Sequence, residues 1–316
     1  MVNRVIVIGT SAGGVEALQR VVRDLPPNVD AAIVVVMHLH PTAKSYLAEI
    51  LGRVGQVPVI STEDGMKLEP GHIYVPRPDY HTLIQRDHLH LSHGPKENRY
   101  RPSINTLFRS AAQSFGPNAV GVILTGSLDD GTVGLWDIKR AGGLTVVQDP
   151  EEALFPDMPQ NAIAHVEVDF IVKLSQIGPL LTTLVNEPAP QLAASAAPHG
   201  NGGSPGEGNS FMQSQMTDFT CPECHGAIRE ERLGTVLQYH CRIGHTYSAS
   251  TMLEAHRDAE ENALWAAVVA LEEGAELSKQ LARSVPETRD ELHRAAEQKN
   301  AHAESIRNII ARIRRT

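Results

Sequence analysis

Residues 5–14, VIVIGTSAGG, give the strongest indication of the fold of this chain. Four β-branched apolar residues in succession predict a buried parallel strand, and the pattern of residues 15–22 predicts a helix directly after the turn. Ser11 stands on that turn, between Gly9 and Gly13. A serine on a sharp strand-to-helix turn exposes its hydroxyl at the carboxyl edge of the sheet, beside helix N–H groups that can hold an oxyanion. The stretch therefore indicates a nucleophilic serine.

Two other interpretations of this loop stay open on its residues alone. A dinucleotide loop of the form Gly-x-Gly-x-x-Gly binds pyrophosphate on the helix N-terminus, but Ser11 stands where the second glycine is needed for close backbone approach. The loop can also be a structural turn without chemistry. A nucleophile additionally needs a base and an acid elsewhere in the chain.

A candidate base and a candidate acid follow two further predicted strands. His38 ends a buried strand predicted at residues 31–37, and Asp130 lies in the turn after a strand predicted at residues 121–124. Because ligands of open α/β sheets bind outside the carboxyl ends of the strands, Ser11, His38 and Asp130 can converge at one edge. The chain order Ser, His, Asp differs from that of α/β-hydrolases, which argues against an ordinary lipase or esterase.

Both assignments have a close competitor. His40 lies two residues after His38, and residues i and i+2 of a strand share a face, so the pattern does not separate them. Asp129 can be the acid, with Asp130 capping the helix predicted to start near Thr132.

Composition limits the function classes. The chain has 316 residues, 41% of them hydrophobic, which suits about two domains with a sizeable core. A net charge of −9 argues against a nucleic-acid partner. No apolar stretch approaches the length of a membrane span, so we expect no membrane insertion. Three cysteines do not make a disulfide framework, and we expect a cytoplasmic protein.

The chain divides into four predicted regions. Alternating strand and helix patterns over residues 1–187 predict an α/β domain with a doubly wound, mostly parallel, Rossmann-like sheet. Residues 188–215 are rich in Ala, Pro, Gly and Ser and predict a flexible linker. Residues 216–250 predict a small zinc-ribbon-like knuckle, and residues 251–316 a helical hairpin.

The predicted knuckle contains every cysteine of the chain. Cys221 and Cys224 form a Cys-x₂-Cys pair, and Cys241 and His245 follow as Cys-x₃-His. This spacing can place four ligands around a tetrahedral zinc and leaves no position for a substrate, so we expect a structural metal site. His240 is a spare candidate ligand, but it would point elsewhere on a strand.

Two apolar stripes with helical spacing flank Pro286 in the last region. They predict an antiparallel helical hairpin in preference to an intermolecular coiled coil, which usually needs longer heptad runs. The stripes comprise Leu264, Val268, Leu271, Ala275 and Ala282, then Leu292, Ala296, Ala303, Ile306, Ile310 and Ile313.

Residues 1 to about 182 resemble the catalytic domain of the CheB-type chemotaxis protein-glutamate methylesterases. The similarity runs through seven segments in the same order. They are IGTSAGG (8–14), MHL (37–39), PGHIYV (70–75), DYH (79–81), RPSINTLF (101–108), LTGSLDDG (124–131), and QD (148–149) with MP (158–159).

The resemblance implies a serine hydrolase that demethylates glutamate methyl esters on chemoreceptors and can also deamidate glutamine. It assigns the nucleophile to Ser11, the base to His38 and the acid to Asp130, and no cofactor for catalysis. Backbone N–H groups near Ala12 or Gly13, together with Ser127, are the expected oxyanion contacts.

The chain departs from the family pattern at several positions. The family usually has a small polar residue at the position of Ala12, Gln at Met37, Met-Gly at Ser127-Leu128 and Asp at Asn105. The chain also begins at the catalytic strand, so we expect a member without the receiver domain whose phosphorylation relieves inhibition in this family.

The expected partners follow from the same resemblance. They are a methylated chemoreceptor or another methyl-accepting signalling protein. Methyltransferase or kinase partners are expected to bind through the C-terminal tail, by which we mean the predicted knuckle and helical hairpin. We expect the tail to regulate or target the enzyme and to take no part in the chemistry. The alternative function is a non-catalytic docking or regulatory protein of a methyl-coupled pathway.

Overall fold

The computed structural model describes residues 2–42, 44–187 and 214–313, in two compact units, Met1–Met252 and Leu253–Thr316. Nearly all of the linker predicted at residues 188–215 thus lies outside the described residues, and its last two residues already belong to a strand. The predicted catalytic domain and the predicted knuckle both fall within the first of these units.

Strands and helices alternate over the first part of the described chain, and strands then precede two long helices. The strands are β1 (Val5–Thr10), β2 (Ala32–Met37), β3 (Val59–Ser61), β4 (His72–Val75), β5 (His81–Gln85), β6 (His88–Ser92), β7 (Ala119–Ile123), β8 (Leu144–Gln148), β9 (Phe170–Val172), β10 (Ser214–Thr220), β11 (Ala227–Leu233), β12 (Val236–Cys241) and β13 (Thr246–Ser248). The helices are α1 (Gly14–Arg23), α2 (Leu47–Gly52), α3 (Ile104–Phe115), α4 (Thr132–Arg140), α5 (Asp157–His165), α6 (Leu174–Asn186), α7 (Ala249–Ser284) and α8 (Arg289–Ile313).

A seven-stranded parallel sheet in the order β3-β4-β2-β1-β7-β8-β9 forms the centre of the first unit. The chain builds outward from β1 in one direction and then, from β7, in the other. The point where the strand order reverses therefore lies between β1 and β7, and open sheets bind ligands at the carboxyl ends of such strands. This doubly wound topology confirms the fold class predicted from the sequence.

Side chains of β1 pack into two hydrophobic cores, one on each face of the sheet. Ile6 and Ile8 pack with residues of α1 and α6, whereas Val5 and Val7 pack with residues of α3, α4 and α5. Every residue of β1 is buried, as expected for a central parallel strand. A buried first strand holds the turn that follows it rigidly.

A four-stranded antiparallel sheet, β10-β11-β12-β13, makes up the C-terminal part of the first unit. The three cysteines lie at its ends and turns. Thr246 at the start of β13 forms a bridge with Glu97, a residue of the loop between β6 and α3. We call the sheet with its turns, residues 214–248, the C-terminal module.

In the second unit, α7 and α8 pack along the two predicted apolar stripes. Lys299, which interrupts the second stripe, donates from Nζ to the Gly274 carbonyl (3.1 Å) and to Ser278 Oγ (3.3 Å). The buried stripe residues include Val268, Ala275, Ala282, Ala296, Ala303 and Ile310. No helix of the described residues has the length and apolar character needed to cross a membrane.

Candidate active site

The turn after β1 holds Ser11 through its backbone. The Ser11 N–H donates to the Thr125 carbonyl beyond β7 (3.1 Å), and the Ser11 carbonyl accepts from the Gly14 N–H (3.0 Å). Gly13 has a φ of +74°, in the left-handed region that favours glycine. The motif thus forms the strand-to-helix turn expected from the sequence, and the serine is partly exposed on it.

His38, at the end of β2, lies between Ser11 and Asp130. Its Nδ1 is 2.9 Å from Ser11 Oγ, and its Nε2 is 2.8 Å from Asp130 Oδ2. The ring stacks on Tyr100 with centroids 3.4 Å apart and an angle of 6° between the planes. Only 6% of the side chain is exposed. The structure therefore brings the three predicted residues into one hydrogen-bonded line.

The imidazole of His38 has the opposite orientation to the one in chymotrypsin-type triads, where Nε2 faces the serine and Nδ1 the aspartate. Turning the ring over would place carbon atoms against both partners and remove both hydrogen bonds. In the neutral ring, this geometry places the proton on Nε2, toward the carboxylate, and leaves Nδ1 free to accept the Ser11 proton.

The Asp130 carboxylate is fully buried and surrounded by donors. Besides His38, it accepts hydrogen bonds from the Ile104 N–H (2.8 Å), Ser103 Oγ (2.9 Å), the Asn105 N–H (3.3 Å) and Asn98 Nδ2 (3.3 Å). Burial by itself raises the pKa of Asp130, but the hydrogen bond and charge of His38 and the donors around α3 hold that pKa below its usual value. The aspartate is therefore ionised.

The start of α3 explains how a buried carboxylate stays charged. Ile104 and Asn105 begin the helix, and their N–H groups have no partner within it, so Asp130 satisfies them and meets the positive end of the helix dipole. The Asn105 side chain accepts from the Gly131 and Gly134 N–H groups (3.0 and 2.9 Å) and ties the start of α4 to α3. Sequence reasoning noted Asn105 only as a departure from the family pattern.

The structure separates the two competing assignments. His40 is exposed and contacts Thr42, two residues away, and not Ser11. Asp129 turns its carboxylate toward Ser248 and Ser250 (2.8 and 2.6 Å). Burial raises the pKa of Asp129, and the hydrogen bonds from the two serines oppose this only in part.

The expected oxyanion groups lie around the same turn. Thr125 Oγ1 donates to the Ala12 carbonyl (3.2 Å), which ties the β1 turn to the β7 turn. A Cβ on Gly126 would come within 2.9 Å of Ser11 Cβ, so only glycine allows the Ser127 backbone this close to the serine. Within the described residues, the N–H groups of Ala12, Gly13 and Ser127 donate to no protein acceptor.

Two exposed apolar residues, Leu154 and Phe155, border the serine. Leu154 is 71% exposed, and a Cβ on Gly13 would lie 3.1 Å from its Cδ2. The Phe155 carbonyl accepts from the Gly126 N–H (2.9 Å). Sequence reasoning missed this pair, although adjacent apolar residues in a loop without helical or strand periodicity were a usable signal.

The four predicted metal ligands also come together. Their ligand atoms lie within 4.8 Å of one another, with 3.6 Å between the sulfurs of Cys224 and Cys241 and 3.7 Å between Cys221 Sγ and His245 Nδ1. Ligands around a tetrahedral zinc, at bond lengths of ~2.0–2.3 Å, are about 3.5–3.8 Å apart. This Cys/His cluster can hold a metal ion. His240 lies outside it, against Thr246.

A protein-family model described as CheB methylesterase matches residues 6–181, more than half of the chain. The chain belongs to the CheB methylesterase family. This confirms the resemblance drawn from the motifs. The match contains Ser11, His38 and Asp130 and ends before the Cys/His cluster.

Known relatives of this CheB methylesterase domain agree. Over 179 residues, 55% of its length, the chain is 40% identical to a protein-glutamate methylesterase/protein-glutamine glutaminase of Yersinia pestis, and the match covers 51% of that protein. The corresponding protein of Pectobacterium atrosepticum is 39% identical, with 51% covered. The chain thus spans about half the length of the curated relatives it matches.

A solved structure matches the same part of the chain. The crystal structure of the Thermotoga maritima CheB methylesterase catalytic domain is 31% identical, with a TM-score of 0.56. The match covers 58% of this chain and 100% of the other. The fold of the catalytic domain is therefore the one the sequence predicted.

The two adjacent aspartates provide a direct test of the geometry. We expect Asp130→Asn to lower the hydrolysis of a small methyl ester by about 10³-fold or more, because an amide in place of the carboxylate favours the wrong imidazole tautomer. Asp129→Asn, which does not touch His38, should lower it by less than about tenfold. Steady-state methanol release by both variants decides this, and equal losses or the reverse order would contradict the geometry.

Proposed function

We propose that this protein is a protein-glutamate methylesterase that hydrolyses glutamate γ-methyl esters on a methylated chemoreceptor or a related methyl-accepting protein. The observation that carries the proposal is the continuous line Ser11–His38–Asp130 at the reversal point of the sheet, in a chain of the CheB methylesterase family. The activity for which the relatives are named supports the same chemistry.

In the proposed first step, His38 Nδ1 takes the proton of Ser11 as Oγ attacks the ester carbonyl. The N–H groups of Ala12 or Gly13 and of Ser127 then bind the oxyanion of the tetrahedral intermediate. His38 Nδ1 returns the proton to the departing methoxide, which leaves as methanol. Asp130 accepts the Nε2 hydrogen bond throughout and stabilises the imidazolium.

In the second step, water attacks the acyl-enzyme. His38 Nδ1 takes a proton from the water, the acyl–Ser11 bond breaks, and the same proton returns to Ser11 Oγ. The products are glutamate and free enzyme, so no cofactor is needed for the balance of atoms and electrons.

Glutamine deamidation is a second candidate activity, because the relatives are named for both reactions. It uses the same acyl-enzyme and differs only in the leaving group, since His38 would protonate the departing amide nitrogen, which leaves as ammonia, instead of the methoxide oxygen. The exposed apolar pair Leu154 and Phe155 offers the substrate protein an anchoring surface beside Ser11.

For the Cys/His cluster we propose a structural zinc ion, since three thiolates and one imidazole are a donor set that zinc prefers. The cluster needs reduced thiols, and all three cysteines are free, which supports a cytoplasmic location.

Contacts with a methyltransferase or kinase through the tail stay a prediction. A non-catalytic docking protein, the alternative function, would release no methanol at all.

Replacing Ser11 tests the proposed reaction. We expect Ser11→Ala to lower methanol release from a methylated receptor fragment by orders of magnitude, because the nucleophile is lost. The melting temperature should change little, since the hydroxyl is partly exposed. Ser61→Ala, at the exposed end of edge strand β3, is the matched control and should keep its activity. Near-normal methanol release by folded Ser11→Ala would refute the mechanism.

Metal analysis tests the cluster. Protein purified without added metal should contain one zinc per chain, and Cys221→Ser combined with Cys224→Ser should abolish it. His240→Gln is the matched control, because this histidine lies next to the cluster but contacts Thr246. Stoichiometric zinc in the double variant, or its loss in His240→Gln, would show that the ligands lie elsewhere.

A further inference from the structure

Asn98 is almost completely buried, with 1% of its surface exposed, and it contacts both Asp130 and the C-terminal module. Its Oδ1 accepts the Ser248 N–H (2.9 Å) and the Thr251 hydroxyl (3.0 Å). Because a backbone N–H can only donate, this contact fixes which end of the amide is the oxygen. The Nδ2 end then points at Asp130 Oδ1, 3.3 Å away.

The backbone of the same residue is held from the same side. The Asn98 N–H donates to the Thr246 carbonyl (2.7 Å), and Asn98 has a φ of +51°, in the left-handed region that asparagine tolerates better than most residues. Residues 246–251, which we call the clamp segment, therefore hold Asn98 by main chain and side chain.

The clamp segment also holds the second aspartate. Ser248 Oγ and Ser250 Oγ donate to the two carboxylate oxygens of Asp129 (2.8 and 2.6 Å). The segment thus contacts Asp129 directly and Asp130 through Asn98. Asp129 therefore accepts hydrogen bonds from the segment itself, and Asp130 accepts one from a residue that the segment holds.

The clamp segment starts directly after a proposed metal ligand. His245 immediately precedes Thr246, and its carbonyl accepts the Cys241 N–H (3.0 Å). Tyr247, fully buried within the segment, has its hydroxyl 3.4 Å from Cys221 Sγ. A metal ion bound by Cys221, Cys241 and His245 would therefore restrain the segment at its start, next to His245, and in its middle, at Tyr247.

Asn98 itself belongs to the loop between β6 and α3, which supports the imidazole of His38. Tyr100, two residues later, stacks on His38, and Glu97 binds Arg109 of α3 through two hydrogen bonds (2.9 and 3.1 Å). A displacement of Asn98 would therefore reach His38 by two routes, through Asp130 and through Tyr100.

We propose that Asn98 is a positioning residue that couples the Cys/His cluster to the active site, so that metal binding at the cluster raises the rate of the chemical step. The inference rests on the proposed function. The metal-bound module holds the clamp segment, the segment holds Asn98, and Asn98 keeps the Asp130 carboxylate in the orientation that directs His38 toward Ser11. Metal occupancy thus acts on kcat and leaves KM for a small ester unchanged.

The first experiment removes the metal from the full chain. With a peptide glutamate methyl ester as substrate, chelation should lower kcat roughly tenfold, the loss typical for one hydrogen bond to a charged group, and added Zn²⁺ should restore it. KM should stay within about twofold. A change in KM alone, or no change in kcat on complete zinc removal, would overturn the proposal.

Three variants locate the coupling. Asn98→Asp keeps an acceptor for Ser248 and Thr251 but replaces the donor toward Asp130 by a like charge, so it should lower kcat even with zinc bound. Thr251→Val keeps the hydrogen bond from Asn98 to Asp130 and loosens only the clamp segment. Its kcat should fall by less than that of Asn98→Asp, and added zinc should not restore it. Lys96→Ala is the control. The Lys96 side chain forms an ion pair with Glu223 of the C-terminal module (3.8 Å) but does not contact Asp130.

Asn98→Ala tests whether the coupling passes through the Asn98 side chain. Its kcat should respond to zinc much less than that of the unmodified protein, because the side-chain link is absent and only the main-chain contact with Thr246 remains. If zinc removal lowers kcat of Asn98→Ala as much as that of the unmodified protein, the coupling does not pass through Asn98, and the proposal is wrong.

Hydrogen exchange measures the same coupling without activity. In Ser11→Ala protein, zinc removal should speed the exchange of the Asn98 N–H, bonded to Thr246, and of the Ile104 N–H, bonded to Asp130. This result does not depend on the esterase function, so the two proposals can fail separately. Unchanged exchange at both amides in zinc-free protein would refute the coupling even if the esterase is confirmed.

Discussion

The hydrogen bond between the Asp130 carboxylate and His38 Nε2 is the interaction on which the site depends. A buried charge is costly unless it is paired and hydrogen-bonded, and here the α3 N-terminus, Ser103 and Asn98 supply the remaining donors. The charged carboxylate sets the proton on Nε2, and this leaves Nδ1 facing Ser11. The reversal point of the sheet places the three residues at one edge, but the donors around Asp130 decide what the histidine can do.

These donors to Asp130 all lie within residues 6–181, but one of them is held in place from another part of the chain. Ser103, Ile104 and Asn105 belong to the region matched by the CheB methylesterase model, whereas the contacts that hold Asn98 come from residues beyond it. The matched region therefore contains the proposed reacting groups, and Ser248 and Thr251, beyond that region, contact the Asn98 side chain that supports them. The C-terminal tail, predicted from the sequence to take no part in the chemistry, has a proposed indirect part through its contacts with Asn98.

The sheet, the serine turn and the clustering of the three cysteines with His245 could be predicted because each has a short-range signature. The run of β-branched residues before Ser11 identifies a central strand, and the Cys and His spacings identify a ligand set. The local pattern could not distinguish His38 from His40, or Asp129 from Asp130. The two residues of each pair follow the same strand and differ only in the direction that the backbone turn gives their side chains. Family resemblance favoured one member of each pair, and the geometry agrees with it.

The contacts of Asn98 and Tyr100 were not predictable, since they join residues far apart in sequence through a loop with left-handed backbone. Asn98 meets Thr251 across 153 positions, and no periodicity marks such a pairing. Leu154 and Phe155 were visible as an apolar pair, but only the fold shows that they border the serine.

The tautomer of His38 tests the proposed role of Asp130 most directly. In ¹⁵N-histidine-labelled protein, with His38 assigned by difference from His38→Gln, the neutral ring should carry its proton on Nε2, in a hydrogen bond that Asp130→Asn alters, and should have an unprotonated Nδ1. A ring protonated on Nδ1, or an Nε2 proton unaffected by Asp130→Asn, would contradict the claim that Asp130 directs His38 toward Ser11.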